Sequence, residues 1–592
     1  MAVTRVFDIL PQLLEKHNKS NILAAKENGQ WRTYSTKEFA DNVNFLSSGL
    51  YNLGIKPGDK IAIIANNRPE WNFTDYAIQQ VGAISVPIYP TISETDLGFI
   101  LKDAAVTYLF ISSKELYTKL KPTIDAVSSI KDVYSFNTAS GCKHWSLLLE
   151  DGKKNPKTIE IESIKKTIKA NDLLTILYTS GTTGTPKGVM LSHNNLISNS
   201  LASQTLAPFK SDWKALSFLP LNHVYERMLT TLYFYLGVSV YYAESMDTIV
   251  DNLKEVQPQI FSTVPRLLEK VYDRIVAKGN EQKGLKKKIF FWALDLGLRY
   301  ELNGANGWFY EQQLKIARKL VFSKWKEALG GKVVAIVSGG AALQPRLSRV
   351  FFAAQINVLE GYGLTETSPV IAVNNFLPNS ICFGTVGPVI DKVTVKIAED
   401  GEILVKGPNI MLGYYNRPDA TAEVIDTNGW FHTGDIGTFV DNRFLKITDR
   451  KKEIFKTSGG KYITPVMIEN KLKESPFIEQ IMVIGENQKF ASALIVPSFA
   501  YLKDYCKLKN IEYNSNEEII QNPVIKKRIM EEVEQLNKSL AQYEKIKAPE
   551  LLSREWSIEK NELTPKLSLK RKVILTENKE LVDKIYREKN GN

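Results

Sequence analysis

The order of apolar and polar positions divides the chain before any motif is read. Over residues 37–53, Phe39, Val43, Leu46 and Leu50 recur at helical spacing, and Gly54 ends the stretch. Pro57, Gly58 and Asp59 then turn the chain into the apolar run Ile61, Ala62, Ile63, Ile64, which predicts a buried strand. A second helical pattern across 71–78 precedes another strand-like run at 83–87. Alternation of this kind continues through Tyr108, Leu109 and Phe110 to about Val240, so the large N-terminal part is predicted to be α/β with largely parallel sheets. Residues 333–337 and 356–359 read as two further strands, each running straight into a glycine-bearing loop. From Pro388 the period changes to two. Val393, Val395 and Ile397 alternate, and Asp400 and Gly401 make a tight hairpin before Ile403 and Val405. This predicts a small antiparallel β region closing the large domain.

Between Val264 and Leu329 the pattern is a long helical insertion, placed at about 265–330. It holds Lys286, Lys287 and Lys288, followed at once by Ile289, Phe290, Phe291, Trp292, Leu294, Leu296 and Leu298. A basic head beside a Trp/Phe-rich helix suits a bilayer interface or the wall of an apolar channel, and a core helix or dimer contact has equal standing. A charged break at 449–453 sets the domain boundary: a large domain at 1–448 and a small mobile α/β domain at 449–592. The length, 592 residues, exceeds one ordinary core and agrees with that division. The three cysteines, Cys142, Cys382 and Cys506, lie far apart with no C-x-x-C spacing, which fits a reducing cytoplasm and excludes a thiolate zinc site. The first residues lack an apolar signal core and no apolar run reaches the ~20 residues of a membrane span, so a cytoplasmic protein is expected. A net charge of +11 is compatible with anionic partners and does not by itself select one; nothing in the chain calls for nucleic acid.

Candidate chemistry centres on residues 178–188, YTSGTTGTPKG, after the apolar run Leu173, Leu174, Ile176, Leu177. Glycines let backbone N–H groups close around an anion, while Thr179, Ser180, Thr182, Thr183 and Lys187 supply donors and charge. The Walker A spacing fails here, because counting from Gly181 it puts Pro186 where the second glycine must stand. The stretch resembles the phosphate loop of the adenylate-forming superfamily, which holds acyl-CoA synthetases, luciferases and peptide-synthetase adenylation domains. EGYGLTET, from Glu360, and the Thr433, Gly434, Asp435 triplet are similar to further motifs of that family, in the same order.

The resemblance implies roles for these positions. Gly181, Gly184 and their hydroxyl neighbours would hold ATP phosphates. Gly340 and Ala341 would flank adenine, with Tyr362 stacking on it between Gly361 and Gly363. Thr365 would meet the α-phosphate, and Glu366 with Thr179 would hold Mg2+. Asp435 and Arg450 would take the ribose, Lys452 would be the hinge, and His223 would border the acyl pocket. Around 449–463 the text looks most like long-chain fatty acyl-CoA synthetases, which implies fatty acid, ATP and CoA as substrates. One position departs from the family: Ser568 stands where the family's adenylation lysine lies, between Lys566 and Lys570. In an extended strand both lysines would share the Ser568 face, and Lys566 is the expected substitute. A fatty acyl-AMP ligase serving a carrier protein and a non-catalytic nucleotide-binding homologue on a membrane remain as alternatives, and homodimer and peripheral membrane contacts stay open.

Overall fold

The computed structural model describes residues 3–179, 185–564 and 568–588. Two eight-stranded sheets carry the large domain. The first runs in the order Gly413–Tyr414, Lys187–Ser192, Leu173–Thr179, Ile84–Ile88, Lys60–Ile64, Tyr108–Ile111, Asp132–Ser135, Lys143–His144. The second runs Val370–Val373, Asn357–Gly363, Ala335–Ser338, Ile260–Thr263, Lys214–Ser217, Ser239–Tyr242, Leu23–Glu27, Gln30–Tyr34. Interior neighbours are parallel and antiparallel pairs occur only at the ends. The strands Ile84–Ile88, Tyr108–Ile111, Ser239–Tyr242 and Ile260–Thr263 are buried at every residue. Helices cover both faces of such strands, which is why the sequence lacks strict apolar–polar alternation there.

The helix Thr36–Asn52 starts where Ser35 accepts from the Glu38 backbone N–H and Glu38 reaches back to Ser35, a reciprocal cap legible in the text as S-x-x-E. Its predicted stripe of Phe39, Val43, Leu46 and Leu50 is fully buried, with the Phe39 ring against Phe73 and Phe234. Phe73 and Phe234 come from the helices Pro69–Gln80 and Val224–Leu236. Between those two helices Arg227 donates to Asp75 at 2.7 Å and to Ser85 at 3.1 Å, all inside the core.

The predicted antiparallel region is a four-stranded sheet, Thr394–Ile397, Glu402–Lys406, Phe431–Val440, Phe444–Arg450, with the first hairpin turned at Gly401 (φ +84°). Beyond it the chain enters a smaller α/β unit with its own core, including Ile481, Leu494, Ile525 and Ile529. Arg571 ties that unit to its entry segment through Glu453 at 2.9 Å and Glu469 at 2.8 Å.

The insertion is helical: Pro265–Glu281, Gly284–Leu298, Trp308–Ala317, a π turn at Arg318–Phe322, and Ser323–Ala328. Of the readings left open for 286–298, core packing holds for its second half. Ala293, Leu294, Leu296 and Gly297 are buried, and a Cβ on Gly297 would come within 2.7 Å of Val350. Among the described residues no helix is long and apolar enough to cross a membrane.

Candidate active site

In open α/β sheets, ligands gather at the carboxyl ends of strands, and three such ends meet here. The first belongs to Leu173–Thr179, which turns back as Lys187–Ser192 with Thr179 paired to Lys187 and Tyr178 to Gly188. The stretch expected to hold phosphate is therefore flanked by two paired antiparallel strands. Thr179 and Lys187 are half-buried at its base, while Ser180, Gly181, Thr182, Thr183 and Gly184 lie outside the described residues. Gly188 is sterically required, since a Cβ there would sit 2.8 Å from Ile176.

The second end is Asn357–Gly363. A Cβ on Gly363 would fall 1.8 Å from the Pro369 carbonyl oxygen, so no side chain fits. Glu360, the first residue of the EGYGLTET stretch, is buried, and its Oε1 accepts from the Leu343 N–H at 2.9 Å. Burial pushes this carboxyl up to about 8, with the backbone donor opposing. Glu360 thus anchors the loop after the third strand end, Ala335–Ser338, where Gly340 (φ +84°) and Ala341 are exposed. Tyr362 donates its hydroxyl to Asp435 Oδ2 at 2.6 Å, and Arg450 Nε stands 3.4 Å from Asp435 Oδ1. Asp435 and Arg450 face each other in the antiparallel sheet. Burial raises the Asp435 pKa, against the lowering effect of the Arg450 guanidinium.

Sequence reasoning missed Tyr414, which joins the two phosphate-side groups. Its hydroxyl donates to Glu366 Oε1 at 2.9 Å, and Lys187 Nζ lies 5.0 Å from its ring centroid. The backbone around it works in the same direction. Gly413 and Tyr414 pair with Met190 and Val189, Tyr415 N–H donates to the Gly188 carbonyl at 2.7 Å, and Met411 N–H donates to the Glu366 carbonyl at 2.9 Å. This short edge strand straps the hairpin to the loop bearing Thr365 and Glu366. The donor set it assembles, one carboxylate with a hydroxyl nearby, suits magnesium, which takes few protein oxygens and completes its shell with phosphate and water.

Beside these loops opens an apolar cleft whose wall includes Tyr362, Gly340 and Gly361 together with His223, Tyr225, Met228 and Leu232. His223 caps the helix Val224–Leu236, its Nδ1 accepting from the Tyr225 N–H at 3.0 Å. The sequence reading singled out only His223. Tyr225, Met228 and Leu232 carried a usable signal, because their spacing places them on one helical face.

Of the two candidate C-terminal lysines, only Lys570 falls among the described residues. Thr564 N–H donates to the Ser568 carbonyl at 2.9 Å, Ser568 N–H to Thr564 Oγ1 at 3.1 Å, and Leu563 bridges Leu569. Thr564 and Ser568 thus bond to each other on either side of residues 565–567, which lie outside the described residues. Lys566 lies outside the described residues. Lys570 donates to Asn561, within the small domain, and is not brought to the phosphate-side groups. Lys452 is exposed just past Lys451, whose ammonium pairs with Asp400 at 2.6 Å and Glu402 at 2.8 Å.

With this geometry in place, comparison with known proteins is informative. The family described as AMP-binding enzyme matches residues 14–415, and its C-terminal domain matches residues 452–590. A long-chain-fatty-acid–CoA ligase of Mycobacterium bovis is 32% identical over 565 residues, covering 94% of this chain and 93% of that protein. A peroxisomal long chain acyl-CoA synthetase of Arabidopsis thaliana is 34% identical over 592 aligned positions, covering 94% and 82%. Among solved structures, the adenylation domain of a carboxylate reductase from Mycobacterium chelonae superposes with a TM-score of 0.76 at 22% identity, covering 98% of this chain and 91% of that one.

Proposed function

The chain belongs to the AMP-binding enzyme family, and on that premise we propose that it is an AMP-forming long-chain fatty acid–CoA ligase using ATP and CoA. The observation that carries the reading is the shared wall between the apolar cleft and the loops bearing Tyr362 and Gly340, which would let an acyl chain lie beside them. In the first half-reaction the fatty carboxylate attacks the α-phosphorus of ATP and pyrophosphate leaves, giving acyl-AMP. In the second, the CoA thiol attacks the acyl carbonyl, the bond to AMP breaks, and the thiol proton passes to solvent.

Tyr362 offers its ring to adenine between Gly361 and Gly363, with Gly340 and Ala341 at the edge. Asp435 accepts from the ribose hydroxyls, a task for which a carboxylate with two oxygens is suited, and the Arg450 guanidinium opposes the rise that burial causes in its pKa. Thr365 stands by the α-phosphate. Attack of one anion on another needs fixed positive charge, supplied by Lys187 and, in this reading, by Lys566. Glu366 and Thr179 would hold Mg2+, which when bound offsets phosphate charge. The linker at 449–452, with Lys452 as hinge, lets the small domain exchange between half-reactions.

Product analysis tests this reading. Incubation with ATP, magnesium, CoA and a long-chain acid is expected to yield acyl-CoA, AMP and pyrophosphate. Acyl-AMP that CoA leaves untouched would instead make this an acyl-AMP ligase serving a carrier. Lys566→Ala is expected to lose acyl-AMP formation while Lys570→Ala keeps it.

A further inference from the structure

Many exposed apolar side chains on the described surface, such as Ile159 and Leu508, are isolated in sequence, and such scatter is ordinary. The helix Trp308–Ala317 and its π turn Arg318–Phe322 are different. Trp308 is 73% exposed, Phe309 71%, Ile316 52% and Leu320 48%. Phe309, Ile316 and Leu320 follow helical spacing and form one outward stripe, while Tyr310, Leu314, Ala317 and Val321 fill the opposite, inward face. Lys315 and Lys319 are exposed and share the outer face with Trp308. The remaining base, Arg318, is turned inward, its Nε donating to the Ala353 carbonyl at 2.8 Å, and Glu311 is the one acid between 308 and 322. The helix is held from inside: Tyr310 donates to the Leu296 carbonyl at 2.6 Å.

An aromatic and aliphatic stripe edged by lysines matches the interfacial region of an anionic bilayer, where rings enter the headgroup layer and ammonium groups reach lipid phosphates. A second copy is a poorer occupant, since a self-complementary contact along this stripe would set Lys315 and Lys319 against their own counterparts. Further exposed cations, Lys283, Lys286 and Lys288, lie at the start of the adjoining helix Gly284–Leu298.

We propose that the outer face of the helix Trp308–Ala317, extended to Leu320, is the surface by which this protein rests on anionic lipid membranes. The surface deepens the ligase reading, because long acyl chains partition into bilayers, but its chemistry stands without it. The contact sits at 308–320 and not on the buried half of 286–298.

Full-length protein floated with phosphatidylcholine vesicles, with and without phosphatidylserine and in the absence of ATP and CoA, tests the proposal separately from catalysis. Partitioning is expected to need phosphatidylserine and to fall at least tenfold in both Phe309→Glu/Ile316→Glu and Lys315→Glu/Lys319→Glu, with turnover of detergent-dispersed fatty acid unchanged. Trp308→Phe keeps binding but is expected to lose most of the fluorescence quenching caused by brominated lipid. Unchanged partitioning in both double variants overturns the proposal. So does a sedimentation-detected dimer that these variants dissociate, which would give the face to a second copy.

Discussion

Tyr414 is the residue on which the phosphate side of the site turns. Its hydrogen bond to Glu366 is charge-assisted and its ring sits beside Lys187. Tyr414→Phe removes the bond and keeps the ring. Acyl-AMP formation is expected to fall about tenfold, the size expected from losing a hydrogen bond to a charged group, with a higher magnesium requirement and unaltered AMP binding. A parallel change in AMP affinity would show that Tyr414 acts only on packing. Glu360 makes a pH prediction. Burial raises its folded pKa to about 8, so its contribution to stability is full below the unfolded carboxylate value and is lost as pH rises through about 8. Glu360→Gln is expected to flatten the decline in Tm between about pH 5 and about pH 8 relative to the unchanged protein. The motif residues were legible in the text because their types carry the chemistry. Tyr414 was not, because it reaches Glu366 across a long sequence separation through a two-residue edge strand with no pattern of its own.

Elements show the same division. The helix Thr36–Asn52 and the hairpin at Gly401 could be read directly, since caps, turn glycines and periodic burial are local signals. The antiparallel pairing of Leu173–Thr179 with Lys187–Ser192 and the bond between Thr564 and Ser568 depended on register and on side chain to backbone bonds, which periodicity does not report. Burial likewise divided the helix Gly284–Leu298 into an exposed basic start and a packed second half, a distinction invisible in its apolar composition. The pair of helices Pro69–Gln80 and Val224–Leu236, which backs the apolar cleft, is pinned by Arg227 and Asp75 deep in the core. Asp75→Asn leaves a buried guanidinium without its counter-charge and is expected to cost roughly 3–5 kcal/mol by chemical denaturation. A loss under about 1 kcal/mol would mean that Ser85 and the surrounding polar groups already satisfy Arg227.

At the scale of the whole molecule, contacts join the large domain to the small one. Arg266, on the insertion's first helix, pairs with Glu479 of the small domain, and Gln344 reaches the Lys473 carbonyl beside it. Glu479→Ala is expected to speed tryptic cleavage in the 450–453 linker several-fold, while cleavage inside either core stays slow. An unchanged rate would remove this pair from any role in setting the domain arrangement.

The central claim is that the hairpin base at Thr179 and Lys187, the Glu366 loop and the Tyr414 strap together perform fatty-acyl adenylation. The most direct measurement is exchange of labelled pyrophosphate into ATP, driven by a panel of free acids without CoA. Exchange is expected with long-chain acids, little with short ones, and none in Glu366→Ala. Absence of exchange with every acid, in protein that still binds ATP, would contradict the account.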